Sequence, residues 1–236
     1  PGLKHFRAAL EHKRHIVSTN KGPIALKYKE LHQLAKANNV YLGFEGTVLS
    51  GTPAINLGTR DLAGCEIKSI RGILNGTTNY ILTQMEEGRS YEEALREAQE
   101  KGYAETDPTA DVEGFDPLAK IVILANAVMG GDVDIANVSR EGITRIKLAD
   151  IERAKKEGKR IKLIGRAWKE SGKVKARVLP ESLLLTDPLA NVMGVLNAIT
   201  FETDVAGDVT IIGPGAGAYT AGYAMLTDML EIHRRF

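Results

Sequence analysis

The sequence predicts two fold classes in series: a short α/β part over residues 1–45 and a larger α+β part over 46–212, closed by a return segment and final helix at 213–236. Three observations carry this. Helical and strand-like runs alternate before residue 46. From residue 66 onward, strand-like runs recur at 66–73, 160–168, 174–179, 191–198, 199–202 and 209–212, enough for one mixed sheet. The helical runs among them are amphipathic, so they cover mainly one face of that sheet.

In order, residues 3–13 have helical spacing through Leu3, Phe6, Ala9 and Leu10. Ile16 to Thr19 is a short apolar strand, Asn20-Lys21-Gly22-Pro23 a loop, 25–38 a helix and Val40 to Glu45 a strand. This alternation is the C-terminal part of a doubly wound, Rossmann-type nucleotide-binding sheet. No G-x-G-x-x-G opens a helix after an N-terminal strand, and no acidic residue stands where it would read a ribose. That part is therefore expected to be partial, with the fingerprint lying before Pro1. Beyond residue 46, 48–60 reads as a helix entered through a Gly/Thr/Ser loop, and Glu66 to Ile73 as a strand. Asn79 to Glu87 and Tyr91 to Lys101 are helices separated by Gly88, and Asp150 to Glu157 is a charged surface helix. Arg160 to Trp168 and Val174 to Leu179 flank a Ser171-Gly172 hairpin turn. Tyr219 to Ile232 closes the chain as a helix whose apolar face is Ala221, Ala224, Met225 and Leu226.

Composition narrows the function classes. The chain is 43% hydrophobic and 26% charged with a net charge of +1, ordinary for a soluble globular protein and no footprint for nucleic acid or an anionic membrane. The densest basic run, Lys155, Lys156, Lys159, Arg160 and Lys162, reads as a solvated helix end. One cysteine, Cys65, excludes an internal disulfide and suits a reducing, cytoplasmic compartment; its apolar, strand-like context points to packing. No apolar run reaches the roughly 18 residues that span a bilayer. No signal peptide is visible. None of the five histidines has metal-ligand spacing, which argues against zinc.

The most informative stretch is GYAETDPTADVEGFDPLAK, residues 102–120. It crowds Glu105, Asp107, Asp111, Glu113 and Asp116 into twelve positions and then supplies Lys120. Gly102, Pro108, Gly114 and Pro117 make its first part a loop. From Pro117, Leu118, Ile121, Val122, Leu124, Ala125 and Val128 repeat at spacings of three and four, a helix over 117–129. Asp116 and Lys120 then share one face, one turn apart. Such a pair also occurs on solvated helix faces, where it contributes only about 0.3–0.5 kcal/mol. The calcium-loop spacing D-x-[DN]-x-[DN]-G is absent.

Four blocks change the weight of that pair: HIVSTNKGPIAL at 15–26, FEGTVLSGTPAINL at 44–57, IRGILNGTTNYIL at 70–82 ahead of the acidic loop, and IGPGAGAYTAGYAMLTDML at 212–230. In this order they resemble homoserine dehydrogenases over nearly the whole chain. The resemblance implies a partial nucleotide-binding domain followed by a substrate and oligomerisation domain. It implies interconversion of L-homoserine and L-aspartate 4-semialdehyde with NAD or NADP, and a homodimer or higher homo-oligomer. By it, Lys120 is the catalytic acid/base and Lys21 a second group at the junction of cofactor and substrate. Gly102, Glu105 and Asp116 are substrate-binding; Asn20, Lys21, Gly213, Gly215 and Gly217 approach the cofactor. Glu45, Val48, Ser50 and Thr52 correspond to a monovalent-cation loop, usually sodium, whose ligands are mostly backbone carbonyls. Asn75, Gly76 and Thr77 border the substrate pocket; from the residues alone they are an Asn-Gly turn with a Thr cap. Without the resemblance, Lys21 is a lysine in a surface turn and Thr47 caps an ordinary helix entry.

Two other readings remain open. A chain of this family lacking the glycine fingerprint would fold and oligomerise yet hold no cofactor. Another two-domain dehydrogenase of amino-acid semialdehydes would share the nucleotide half but not the 102–120 block.

Overall fold

The computed structural model describes residues 2–236. Its first part pairs β1 (Ile16–Val17) and β2 (Leu42–Gly43) in parallel, Ile16 opposite Leu42, between α1 (Gly2–Glu11) and α2 (Lys21–Ala37). Among the described residues each strand pairs only with the other, and both are shorter than the predicted 16–19 and 40–45. α2 begins at Lys21, where a loop was predicted. The Asn20 side chain caps it by accepting a bond from Gly22 N at 3.3 Å, and Pro23 sits in the first turn, where a missing N–H does no harm. The predicted 48–60 helix starts only at Ala54: residues 48–53 are loop, and α3 (Ala54–Asn56) runs on into a π-helical turn at Leu57–Asp61. Cys65 lies in the turn that follows, half-buried and outside any strand.

The larger part is a six-stranded sheet in the order β4-β6-β5-β3-β7-β8. Its strands are β3 (Ile67–Ile73), β4 (Ser139–Arg140), β5 (Lys159–Glu170), β6 (Lys173–Leu184), β7 (Leu196–Thr203) and β8 (Asp208–Pro214). Neighbours run antiparallel except β4 beside β6, so the sheet is mixed. Ser171 and Gly172 both take positive φ, the two-residue turn that the right-handed twist of a hairpin favours. β7 is one strand where two runs were predicted, and residues 188–191 ahead of it form a 3-10 turn.

Helices α4 (Gly76–Glu86), α7 (Phe115–Ala127) and α8 (Leu148–Lys156) lie on one face of this sheet. Ile70, Leu74, Leu163, Ile199 and Phe201 there share a buried cluster with Ile81, Leu82, Ile121 and Leu124. Between α4 and α7 come α5 (Tyr91–Glu100), opened by a Ser90–Glu93 capping box, and short α6 (Thr109–Val112). The opposite face carries a small cluster around Ile73, Ile164 and Ala198, with Ile212 exposed beside Ala198, and Arg166, Trp168, Arg177 and Glu202 along an open groove.

Lys162 departs most from the sequence reading. It is fully buried on β5, its Nζ donating to Asn79 Oδ1 at 2.9 Å and to Val192 O at 2.7 Å. Burial pushes its pKa down from 10.5 to about 8, with Arg160 adding to the effect and Glu86 opposing it. Between those values the unfolded chain holds more protons than the folded one, so the Lys162 contribution to stability rises with pH across that window. Wild type should therefore gain on the order of 3 kcal/mol relative to Lys162→Met between about pH 8 and about pH 10.5. Urea unfolding at both ends reads the difference, and a difference independent of pH would reject the account.

After β8 the chain returns through α9 (Ala218–Arg235), which packs on β1, β2 and the 3-10 turn Glu45–Thr47. Its buried face matches the predicted one only at Ala224. Ala224, Asp228 and Glu231 are buried, whereas Met225 and Leu226 are 37% and 54% exposed. The inner face meets polar groups: Asp228 Oδ2 accepts from Glu45 N at 3.0 Å, and Glu231 pairs with Arg60 at 3.0 Å.

Candidate active site

The Asn75 side chain caps α4, its Oδ1 accepting from Thr78 N at 2.8 Å. The sequence reading put the cap at a threonine. That use of Oδ1 aims Nδ2 outward, where it donates to Asp111 Oδ1 at 2.7 Å and to Asp116 Oδ2 at 2.9 Å. One carboxamide thus gathers two carboxylates of the acidic loop. Thr77 Oγ1 donates to Tyr103 O at 2.6 Å, and the Tyr80 and Tyr103 rings stack edge to face, which seats the loop beside the same helix end.

Asp116 lies in the first turn of α7, one residue inside a helix that begins earlier than predicted. One oxygen meets Lys120 Nζ at 2.9 Å and the other meets Lys21 Nζ at 2.9 Å. Lys120 also donates to Leu74 O at 2.7 Å. An ammonium has three N–H groups, so one remains for a bound molecule. Burial alone would raise the Asp116 pKa. Lys120, Lys21 and the Asn75 hydrogen bond outweigh it and hold the carboxyl at about 2. Asp111 lacks such neighbours at close range, and burial pushes it up, partly offset by Asn75.

The two basic residues chosen from sequence, one on each part of the chain, thus meet on one carboxylate. Gly102 and Glu105 make no hydrogen bond or ion pair with them: Gly102 takes φ 72°, and the exposed Glu105 side chain has no partner among the described residues, while its carbonyl accepts from Gln99. Asp111 belongs to the site, although the sequence reading gave it no role; its place five residues before Asp116, across the Gly114 turn, was the available signal.

Ser50 and Thr52 spend their hydroxyls on the return segment, Ser50 Oγ with Thr220 Oγ1 at 2.8 Å and Thr52 Oγ1 to Pro214 O at 3.1 Å. Both Glu45 oxygens accept backbone amides, from Ile55 at 3.0 Å and Asn56 at 2.7 Å. Val48 is buried and Ser50 is left-handed with φ 51°. Gly213 and Gly215 are glycines for close packing as well: a Cβ would stand 2.3 Å from Thr52 Oγ1 at the first, and 2.3 Å from the Asn197 carboxamide at the second. Gly217 takes φ 131° ahead of α9.

A lysine–carboxylate–lysine bridge at the seam of a nucleotide-type sheet segment and a mixed-sheet domain holds one ammonium N–H free for a small polar molecule. The comparisons specify the family. The homoserine dehydrogenase family model matches residues 53–230. A NAD(+)-dependent homoserine dehydrogenase of Pseudomonas canavaninivorans is 46% identical across 99% of this chain, which spans 67% of that relative. The crystal structure of a putative homoserine dehydrogenase from Archaeoglobus fulgidus matches with TM-score 0.92 at 42% identity, covering 98% of this chain and 71% of that one. A hyperthermophilic archaeal homoserine dehydrogenase mutant in complex with NADPH matches with TM-score 0.86 at 33% identity, covering 100% and 69%. The chain belongs to the homoserine dehydrogenase family. Among the described residues, no helix is long and apolar enough to cross a membrane.

Proposed function

We propose that this chain carries the catalytic apparatus for interconverting L-homoserine and L-aspartate 4-semialdehyde, with Lys120 moving the proton at the substrate oxygen. The observation that supports it is the shared carboxylate: Asp116 holds Lys120 Nζ on one oxygen and Lys21 Nζ on the other. In the reducing direction Lys120 donates to the developing alkoxide, and its positive charge stabilises that alkoxide before transfer. Asp116 and Leu74 O orient the ammonium. Lys21, half-exposed on the same carboxylate, is the second group able to relay a proton. Glu105, free of internal partners, takes the substrate ammonium, with Gly102 beside it. Asp116 supplies the second carboxylate of that clamp.

A nicotinamide dinucleotide, NAD or NADP, fits this chain: Asn20 and Lys21 open α2 at the carboxyl end of β1, where such sheets bind nucleotides. Asn20, Lys21 and the backbone of Gly213, Gly215 and Gly217 would hold it. When bound it supplies hydride transfer. A monovalent cation, sodium, fits the loop of Glu45, Val48, Ser50 and Thr52. The Glu45, Ser50 and Thr52 side chains are occupied elsewhere, so the donors there are neutral backbone oxygens, suited to a hard ion of low charge. A homo-oligomer built through the larger domain and residence in the cytoplasm belong to the same reading.

Homoserine-dependent reduction of NAD or NADP is the direct test. In the active enzyme, Glu105→Ala should raise the homoserine KM about tenfold or more, the effect of losing one charge-assisted hydrogen bond. An unchanged KM would remove Glu105 from the clamp.

A further inference from the structure

Asn197, on β7, is 1% exposed, and neither its Oδ1 nor its Nδ2 has a hydrogen-bond partner among the described residues. Buried carboxamides are seldom left so. Its strand position explains where it points. It shares the helix-covered face with Ile199 and Phe201, at the end of the strand nearest the site. Its Oδ1 stands 3.3 Å from where a Gly76 Cβ would be, and its carboxamide lies against Gly215. It is therefore wedged between the first residue of α4, next to the Asn75 that holds Asp116, and the glycine return segment.

The segment carrying Asn197 is firmly fixed. Asn79 Nδ2 donates to Val192 O at 3.1 Å and Leu196 O at 3.0 Å, Lys162 adds its bond to Val192 O, and Gly194 N donates to Thr83 Oγ1 at 3.0 Å. The return segment is tied on its other side through Thr52 and Ser50. A scaffold that pairs these surrounding groups delivers one unpaired carboxamide to the seam.

We propose that Asn197 is a ligand-binding residue of this site, its carboxamide pairing with an oxygen and an N–H of a polar head that enters between Gly76 and Gly215. This rests on the homoserine dehydrogenase reading. The shared chemistry is an oxygen acceptor beside an N–H donor, matching the two donors and one acceptor group of an asparagine. Two sources carry it: the carboxylate and ammonium of the amino acid, or the carboxamide of a nicotinamide. Because the Asn197 atoms are closed from solvent, Gly215 must lift for either to enter.

The test compares wild type and Asn197→Leu in thermal melts and affinity measurements, without ligand, with L-homoserine, and with NADH or NADPH. The leucine variant should melt several degrees higher without ligand, because an unsatisfied buried dipole is gone. Its affinity for one of the two ligands should fall about tenfold or more. Loss of homoserine binding assigns the amino-acid head, and loss of nucleotide binding assigns the carboxamide. Unchanged affinity for both overturns the inference and leaves the reading standing. A wild-type chain that binds neither overturns the reading and the inference with it. A second measurement needs no variant fold: in protein labelled at asparagine nitrogen, the Asn197 side-chain amide signal should shift with the binding ligand. A signal unmoved by either ligand at saturation overturns the inference.

Discussion

Lys120→Ala should lower kcat by roughly a hundredfold or more, the range for losing a general acid. The geometry explains why nothing replaces it. Lys120 Nζ is committed to Leu74 O and Asp116, which fix two of its three N–H directions and therefore the third. Lys21 sits on the other oxygen of Asp116, at the end of a 43% exposed side chain, and has no second fixed acceptor among the described residues. It can supply a proton only less directionally, so the residual rate should fall with Lys21→Ala added. Stability should fall too. Lys120 is 8% exposed, and its loss strips Leu74 O of a buried donor, costing about 1–3 kcal/mol. Lys120→Met keeps the aliphatic stem and so separates packing from proton transfer. Saturating steady-state kinetics and thermal melts on both variants measure the two effects, and near-normal kcat in the methionine variant would reject the catalytic role.

Much of this site was legible in sequence because its parts are local. The Asp116–Lys120 spacing sets one face of one helix, and the glycines and prolines around it set the loop. The partner Lys21 was readable only through the resemblance, since nothing in Asn20-Lys21-Gly22-Pro23 reports a carboxylate ninety-five residues on. Its helix start was misplaced because Pro23 punctuates the sequence like a loop, although a first helical turn accommodates it. Lys162 and Asn197 were invisible for a different physical reason. Burial depends on which strands and turns pack together, and a lysine in the run Lys159-Arg160-Ile161-Lys162 is indistinguishable from a solvated one until the 188–192 turn covers it. The inner face of α9 was misread for the same cause. Composition favoured Met225 and Leu226, but the surface that α9 meets offers the Glu45 amide and Arg60, and polar residues answer them.

Asp116→Ala should weaken folding and homoserine binding together, because one carboxylate serves both. Its loss leaves Lys120 buried and Lys21 half-exposed with no counter-charge on that side. Removing one partner of a buried ion pair costs about 3–5 kcal/mol, and the partial exposure of Lys21 lowers the expectation here to about 2–4 kcal/mol. The effect carries a pH signature of definite sign. The folded-state pKa is depressed from 3.8 to about 2, so between those values the unfolded chain binds more protons than the folded one. The corresponding stabilisation, about 2 kcal/mol, is fully present above the unfolded value and is lost as pH falls through the folded one. The gap in unfolding free energy between wild type and Asp116→Ala should therefore be constant from neutral pH down to about pH 4 and narrow on approaching about pH 2. Urea unfolding across that range measures it. A gap that widens on acidification would mean that Asp116 is not held ionised by the two lysines, and the bridge at the centre of the site would have to be abandoned.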